Sequence, residues 1–255
     1  MKTLEVNLRA LRSAQRTALV AYFVAGLTPD WTRYVEAAVL AGADVIEIGI
    51  PFSDPMIDGV VIQEAAQRSL EAGTTLDSIC TDLSSLSTSV PLVAMTYFNI
   101  FHHYGLEASA ATLRSSGMTG AIVPDLPLEE AQPWRTACDA HDLASVLLVA
   151  PSTPPERVAR LARASEGFLY ASARMAVTGQ ASDIGDASSV VAQIRAVSDL
   201  PVYVGIGITT PEQASEAAIA SDGVIVGSAL VKMILDGAGP EQIERAVASF
   251  RSALP

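Results

Sequence analysis

The chain has 255 residues, of which 50% are hydrophobic and 17% are charged, and this composition predicts a large buried core and excludes a disordered chain. Its formal net charge of −12 excludes a nucleic-acid partner, because neutralising a phosphate backbone requires clustered Lys and Arg. No apolar run approaches the roughly 18 residues of a membrane-spanning helix, and Cys80 and Cys138 show no metal-ligand spacing. We therefore expect a cytoplasmic protein in a reducing compartment, with neither a membrane association nor a metal site.

The sequence begins with an amphipathic pattern over residues 1–16, which predicts a helix in front of the first strand. Eight short runs rich in β-branched residues follow and alternate with helical patterns, as expected for parallel strands joined by crossover helices. The predicted strands are residues 19–24, 44–50, 91–97, 120–124, 145–150, 167–172, 202–208 and 223–226. The predicted helices are residues 31–40, 62–72, 107–115, 129–141, 156–164, 187–196, 211–220 and 241–253.

This alternation predicts an α/β fold in which residues 1–255 form a single (β/α)8 TIM barrel with an extra N-terminal helix. The alternative architecture is an open doubly wound sheet, which usually has fewer strands and a glycine-rich nucleotide turn after the first one. Here the first strand is followed by GLTPD at residues 26–30, which is a turn and not that fingerprint. The barrel is therefore the favoured interpretation.

Two connections are longer than a barrel requires, residues 52–59 after the second strand and residues 174–186 after the sixth. Loops at the carboxyl ends of barrel strands carry the active site, so both are expected on the catalytic face. Residues 174–185 are small and polar, and we expect them to act as a lid over the site.

Glu47 interrupts the apolar pattern of the second strand. Period-two alternation places Ile46 and Ile48 on the face that meets the helices, so Glu47 points into the barrel lumen. The side chain has two interpretations: a glutamate bonded to a neighbouring polar group, or a general acid/base whose pKa is raised by desolvation. We favour the second, because an ionised group costs several kcal/mol there unless it is paired.

The loop after this strand contains two further acids, Asp54 and Asp58, among turn-forming residues. Either carboxylate could simply cap the helix that begins near Val60. Either could also take part in the chemistry, because the loop adjoins the end of the strand that carries Glu47.

Residues 47–59, EIGIPFSDPMIDG, resemble the signature of tryptophan synthase alpha subunits. Similar segments continue along the chain in order: MTYFN at 95–99, VPDLP at 123–127, APST at 150–153, VTG at 177–179, GIGI at 205–208 and GSA at 227–229. The resemblance implies cleavage of indole-3-glycerol phosphate to indole and D-glyceraldehyde 3-phosphate, a retro-aldol reaction that requires no metal or organic cofactor.

The resemblance also implies roles for individual residues. Glu47 would transfer a proton to or from the substrate, and Asp58 would accept a hydrogen bond from the indole N–H. Tyr170 would be an auxiliary hydrogen-bonding group, although a core tyrosine with a satisfied hydroxyl is an equal alternative. Thr178 would link lid closure to Asp58. Asp54, Asn99, Asp125 and Pro127 would contact a pyridoxal-phosphate beta subunit in an alpha2beta2 assembly.

Glycines predict a phosphate site after the seventh and eighth strands. Gly205, Gly207 and Gly227 allow a ligand to approach the backbone, and Ser228 begins a helical run whose amides would face an anion. Because the chain is acidic, such a site would depend on local amides rather than on net charge. Gly179 would close over the phosphate from the lid. A nonproductive anion site is the competing interpretation.

The sequence departs from the family pattern at four places: Val60 replaces a proline, Ala176 a glycine and Ile206 a phenylalanine, and the turn at residues 26–29 is longer. Three other functions stay open: a stand-alone lyase that releases indole, a non-catalytic activator of the beta subunit, and a related barrel that closes or isomerises the indole precursor. That related class depends on a lysine in the barrel, whereas the two lysines here lie in or next to helices.

Overall fold

The computed structural model describes residues 1–172, 185–205 and 207–255. Its eight strands are parallel and close into a barrel in chain order, with the eighth strand paired to the first. The strands are β1 (Ala18–Val24), β2 (Val45–Gly49), β3 (Leu92–Met95), β4 (Met118–Ile122), β5 (Ala144–Val149), β6 (Leu169–Ser172), β7 (Val202–Gly205) and β8 (Gly223–Val226). The predicted (β/α)8 barrel with an additional N-terminal helix is confirmed.

Helices surround the barrel. They are α1 (Thr3–Ser13), α2 (Thr32–Leu40), α3 (Val60–Glu71), α4 (Leu76–Ser84), α5 (Phe98–Tyr104), α6 (Leu106–Ser115), α7 (Gln132–Ala140), α8 (Pro155–Ala164), α9 (Gly185–Arg195), α10 (Pro211–Ala218), α11 (Ser228–Leu235) and α12 (Pro240–Ser252). Within the described ranges, none of these helices has the length and apolar character needed to cross a membrane.

Three helices, α4, α5 and α11, are absent from the eight predicted crossover helices, although a helical run was expected from Ser228 at the start of α11. Helix α4 begins with a capping box between Thr75 and Ser78, in which a serine replaces the usual Glu or Gln. Helix α5 is short, and its first amide, Phe98 N–H, donates a 2.8 Å hydrogen bond to the carboxylate of Asp125 from another loop. Hydrophobic periodicity cannot predict this cap, because Phe98 and Asp125 are 27 residues apart along the chain.

Strand ends also differ from the predictions, because side-chain patterning continues where hydrogen bonding stops. The third strand was expected to reach residue 97, but β3 ends at Met95 and the next two residues lie at the rim of the barrel. The sixth strand begins at Leu169 rather than at residue 167, since Gly167 adopts a left-handed turn with φ of +76°.

The core forms two layers separated by the barrel wall. Ile46, Ile48 and Ile50 pack between the strands and the helices, whereas Val45 packs inside the lumen, as alternation along β2 predicts. The apolar lumen layer also contains Leu4 of helix α1, which closes the amino-terminal end of the barrel. Apolar side chains therefore close the amino-terminal end of the lumen. Polar side chains of the described residues can contact a ligand at the carboxyl end of the barrel.

Asp44 ties both terminal segments to the barrel floor. Its carboxylate accepts hydrogen bonds from Arg16 at 2.8 Å and from Arg251 at 3.1 Å, and also from the Leu19 amide of β1 at 3.0 Å. Arg16 follows α1 and Arg251 belongs to α12, so this network holds both terminal segments against the lower end of the barrel. Each charge in the network has a partner of opposite charge.

Candidate active site

A cavity opens at the carboxyl end of the lumen. Its described lining consists of Tyr22, Glu47, Ile57, Asp58, Ile62, Met95, Tyr170, Gly207, Ile208, Ile225, Gly227 and Ser228. The barrel thus brings all three predicted catalytic residues together with three of the residues predicted to bind phosphate. Thr178, Gly179, Ala176 and Ile206 lie outside the described residues, as does the predicted lid except for its last residue, Gly185, which begins α9.

Glu47 is nearly completely buried, with 1% of its surface exposed, and it points into the lumen as β2 alternation predicts. Its Oε2 atom is buried without a hydrogen-bond partner, so the interpretation of Glu47 as a fully bonded structural glutamate is not supported. Burial, reinforced by the negative charge of Asp58, raises the pKa of Glu47 to about 8. The side chain therefore carries a proton at neutral pH and can donate it.

Asp58 lies on the loop that connects β2 to α3, and its side chain faces the same cavity. Burial raises the pKa of its carboxyl group, but a hydrogen bond from the Tyr97 hydroxyl acts in the opposite direction. The N-cap of helix α3 is Gly59, and no hydrogen bond among the described residues joins the carboxylate of Asp54 or Asp58 to the first amides of this helix. The structure therefore gives no support to the capping interpretation of either acid.

Tyr97 positions the Asp58 loop, a role that the sequence analysis did not assign. The Tyr97 hydroxyl accepts a 3.1 Å hydrogen bond from the Ile57 amide and donates one to the Asp58 carboxylate, while its ring stacks on Phe52 at a centroid distance of 5.2 Å. Both ends of the loop are therefore anchored to one side chain. The position of Tyr97, just beyond the end of β3 on the catalytic face, was the available signal.

Two tyrosines flank Glu47 within the lumen, and the sequence analysis identified only Tyr170. Tyr22 is the register partner of Glu47 on the neighbouring strand β1. Each hydroxyl lies over a glycine of the next strand: a Cβ on Gly49 would lie 2.1 Å from the Tyr22 hydroxyl, and a Cβ on Gly205 would lie 2.0 Å from that of Tyr170. Gly205 is therefore required for the placement of Tyr170, and it does not line the cavity.

The residues of the predicted phosphate site that line the cavity follow β7 and β8. Helix α11 begins at Ser228, and its N-cap, Gly227, provides no side-chain hydrogen bond, so the first amides are available to an anion. Gly207 adopts a φ of +97°, which favours glycine. The ammonium group of Lys232 pairs with Asp236 at 2.8 Å, and no Lys or Arg lines the described part of the cavity.

The residues predicted to contact a partner lie around the rim of this face. Asp54, Asn99 and Pro127 are exposed, whereas Asp125 is partly buried and caps α5. Val60, where the family pattern has a proline, is the first residue of α3 and is 76% exposed. A proline is favourable at such a first helical position, so its absence removes a constraint on the loop that Tyr97 holds.

Within the part of the chain that the structure describes, no cluster of three His, Cys, Asp or Glu side chains is arranged to hold a metal ion. Acid/base chemistry between Glu47, Asp58 and the two tyrosines is what the described cavity can perform.

The high pKa of Glu47 predicts that Glu47→Gln stabilises the protein increasingly as the pH rises. Below the ordinary pKa of 4.5 the glutamate is protonated in the folded and unfolded states, and between 4.5 and about 8 only the unfolded state loses the proton. The free energy of unfolding of the wild type therefore falls as the pH rises from 4.5 to about 8. Glu47→Gln escapes this loss, because glutamine cannot ionise. We expect urea unfolding from about pH 5.5 to 8 to show a growing advantage of the variant.

The matched control is Glu71→Gln, at the exposed end of α3. Its stability difference from the wild type should not vary with pH. A constant difference for Glu47→Gln as well would contradict the raised pKa.

The comparisons with known proteins agree with this geometry. A family model described as tryptophan synthase alpha chain matches residues 8–254. The tryptophan synthase alpha chain of Streptomyces coelicolor is 42% identical over 92% of this chain and 89% of its own length, and that of Thermobifida fusca is 41% identical over 100% and 97%. A solved structure of Mycobacterium tuberculosis tryptophan synthase superposes with a TM-score of 0.92 at 37% identity, covering 99% of this chain and 98% of that one.

A second solved structure, the tryptophan synthase alpha subunit of Legionella pneumophila, has a TM-score of 0.89 at 33% identity, with 99% and 98% of the two chains covered. These likenesses extend across the barrel, the Glu47 strand and the Asp58 loop. The chain therefore belongs to the tryptophan synthase alpha chain family and is a lyase that cleaves indole-3-glycerol phosphate to indole and glyceraldehyde 3-phosphate.

Proposed function

We propose that Glu47 and Asp58 divide the chemistry of this cleavage between them. The reaction breaks the bond between indole C3 and the carbon that bears the adjacent hydroxyl. C3 gains a proton, the hydroxyl loses one, and that carbon becomes the aldehyde of glyceraldehyde 3-phosphate. A proton donor is therefore required near C3, together with a base for the hydroxyl and a group that stabilises the protonated indole.

The single observation that carries the assignment of Glu47 is its buried, protonated carboxyl group at the catalytic end of the lumen. A carboxylic acid with a pKa near the working pH can deliver its proton to C3 and, once ionised, can accept the proton of the substrate hydroxyl. Tyr170, which lines the same cavity from β6, supplies an auxiliary hydrogen bond.

Asp58 acts as the anionic partner of the indole nitrogen. Protonation at C3 places positive charge on the ring nitrogen, and a carboxylate that accepts the N–H hydrogen bond stabilises this charge in a site largely shielded from water. The Tyr97 hydroxyl supports this role, because its hydrogen bond favours the ionised form of Asp58. The two acids therefore work in different protonation states.

The phosphate binds to backbone amides in the part of the cavity that follows β7 and β8. Gly207, Gly227 and Ser228 provide them, and α11 contributes the positive end of its dipole. Gly179 closes over the phosphate, and Thr178 couples lid closure to Asp58, as the family resemblance implies.

The reaction as proposed needs no organic cofactor or metal, because proton transfer alone cleaves the carbon–carbon bond. The chain docks on a tryptophan synthase beta subunit, which carries the pyridoxal phosphate, in an alpha2beta2 assembly. Exposed apolar side chains on the catalytic face support docking there: Met56 is 67% exposed and Val60 is 76% exposed, beside the predicted contacts Asp54, Asn99, Asp125 and Pro127.

We also propose that residues 1–255 act as one catalytic domain in the cytoplasm. Both terminal helices pack on the barrel, and Cys80 and Cys138 are free and buried, which suits a reducing compartment. Of the alternatives, a non-catalytic activator is disfavoured, because such a protein has no need of a buried protonated acid.

Replacing either carboxyl group tests the division of roles. We expect Glu47→Gln to reduce indole release from indole-3-glycerol phosphate by roughly a hundredfold or more, the usual contribution of a general acid/base. Asp58→Asn should cause a loss of similar size, because the charge on the ring nitrogen is no longer balanced. Wild-type kcat/KM should fall above pH about 8 as Glu47 loses its proton.

Glu71→Gln, at the opposite end of α3 from the site, is the matched control for these assays and should retain wild-type rates. Near wild-type indole release by Glu47→Gln would remove Glu47 from the mechanism, and an unaffected Asp58→Asn would do the same for Asp58.

Tyr97→Phe tests the positioning of Asp58. Loss of the hydroxyl removes one hydrogen bond to a charged group, and we expect kcat/KM to fall by roughly ten- to a hundredfold. Because that bond lowers the pKa of Asp58, the acid limb of the pH profile should also move to higher pH. Tyr104→Phe, whose hydroxyl bonds to the exposed Asp77, should change neither quantity. An unmoved acid limb in Tyr97→Phe would show that the hydroxyl does not act through Asp58.

Adding a purified tryptophan synthase beta subunit tests the partner. We expect faster indole formation than with the chain alone, and sedimentation of an alpha2beta2 species. Asp54→Arg should weaken this stimulation, whereas Glu71→Arg, on the opposite face of the barrel, should not. A rate that the beta subunit leaves unchanged would instead identify a stand-alone lyase.

A further inference from the structure

A second hollow adjoins the catalytic cavity, and the proposed function does not use it. The two spaces share Tyr22, Asp58, Ile62 and Met95 in their linings, so they are neighbours separated by these side chains. Beyond these shared residues the hollow extends between the ends of β1 to β3 and helix α3, toward Phe52. We call this space the side chamber.

The side chamber shares the Tyr22 hydroxyl and the Asp58 carboxylate with the catalytic cavity, and the polar side chains that line the chamber alone are already hydrogen-bonded. The Thr96 hydroxyl, which lies in its wall, donates a 3.0 Å hydrogen bond to the Ile50 carbonyl, and the Tyr97 hydroxyl is occupied by Ile57 and Asp58. The rest of the wall is apolar, including Val24 and the small side chain of Ala66, both buried. An apolar ligand group is therefore what this space would accept.

The size of the side chamber restricts its occupant further. Its unfilled space would hold a group about as large as a water molecule or a methyl, and not a whole bicyclic ring. A second indole molecule is thereby excluded, and a substituent on a ring already bound in the catalytic cavity fits.

The proposed contacts orient that ring. With C3 directed to Glu47 and the N–H directed to Asp58, C2 lies between these two carboxyl groups, inside the catalytic cavity. The other neighbour of the nitrogen, on the side away from C3, leads to C7 of the six-membered ring. Because Asp58 lines both spaces, a ring held in this orientation would direct C7 toward the side chamber.

We propose that the side chamber is a specificity subsite that accepts a small apolar substituent, such as methyl or chloro, at C7 of the indole ring. This inference rests on the proposed contact of Asp58 with the indole N–H. Ala66 sets the depth of the subsite, because its side chain projects from α3 into the chamber wall.

The reverse reaction gives a direct test, since the enzyme condenses indole with glyceraldehyde 3-phosphate in that direction. Indole, 5-methylindole and 7-methylindole would each be offered to the full chain, and kcat/KM compared. We expect wild-type kcat/KM for 7-methylindole to lie within about threefold of that for indole. Ala66→Val should reduce the ratio of 7-methylindole to indole by about tenfold, the usual discrimination for one methyl group. The ratio for 5-methylindole should stay unchanged.

Ala66→Gly provides a second variant that does not overpack the core. It enlarges the chamber and should raise kcat/KM for 7-ethylindole relative to indole. Ala72→Val, at the exposed end of α3, is the matched control and should leave every ratio at its wild-type value.

The proposal is overturned if wild type discriminates against 7-methylindole by tenfold or more. It is also overturned if both Ala66 variants leave the 7-substituted ratios unchanged, or if Ala66→Val lowers the 5-methyl and 7-methyl ratios equally. Turnover of unsubstituted indole separates these failures from failure of the proposed function: an inactive wild type, or an active Asp58→Asn, would contradict the roles of the carboxylates themselves.

Discussion

The structure depends above all on the removal of one carboxyl group, that of Glu47, from water. An ionised carboxylate inside a barrel is unfavourable by several kcal/mol unless it is paired, and the simplest relief is to keep the proton. The surroundings enforce this choice: α1 closes the lumen below with Leu4 and Leu8, and apolar residues fill the layer beneath Glu47. A neutral acid poised near physiological pH results directly from this packing.

The second carboxyl group, Asp58, has a different environment in the same cavity. Burial raises its pKa, but Asp58 lies on a loop rather than in the wall, retains partial access to solvent, and accepts a hydrogen bond from Tyr97 that favours its ionised form. Its negative charge in turn raises the pKa of Glu47. In the proposed mechanism, two similar side chains thus acquire different roles through their environment.

The acidic character of the chain constrains the proposed phosphate site. A net charge of −12 repels an anion at long range, and the described cavity wall contains neither Lys nor Arg. In the proposed site, amides at the start of α11 supply local positive potential without adding a mobile charge beside Glu47 and Asp58. The pKa values of the two acids then depend on burial, on the Tyr97 hydrogen bond to Asp58 and on the effect of the Asp58 charge on Glu47.

The sequence by itself determined the eight-strand order, the lumen orientation of Glu47 and the glycines after β7 and β8, because each follows from local periodicity or backbone freedom. It also predicted that Asp58 belongs to the catalytic face. It could not assign Tyr97 to Asp58, pair Tyr22 with Glu47, require Gly205 for Tyr170, or indicate a chamber beside Ala66. These relations join segments that are distant along the chain, and only closure of the barrel brings them within contact distance.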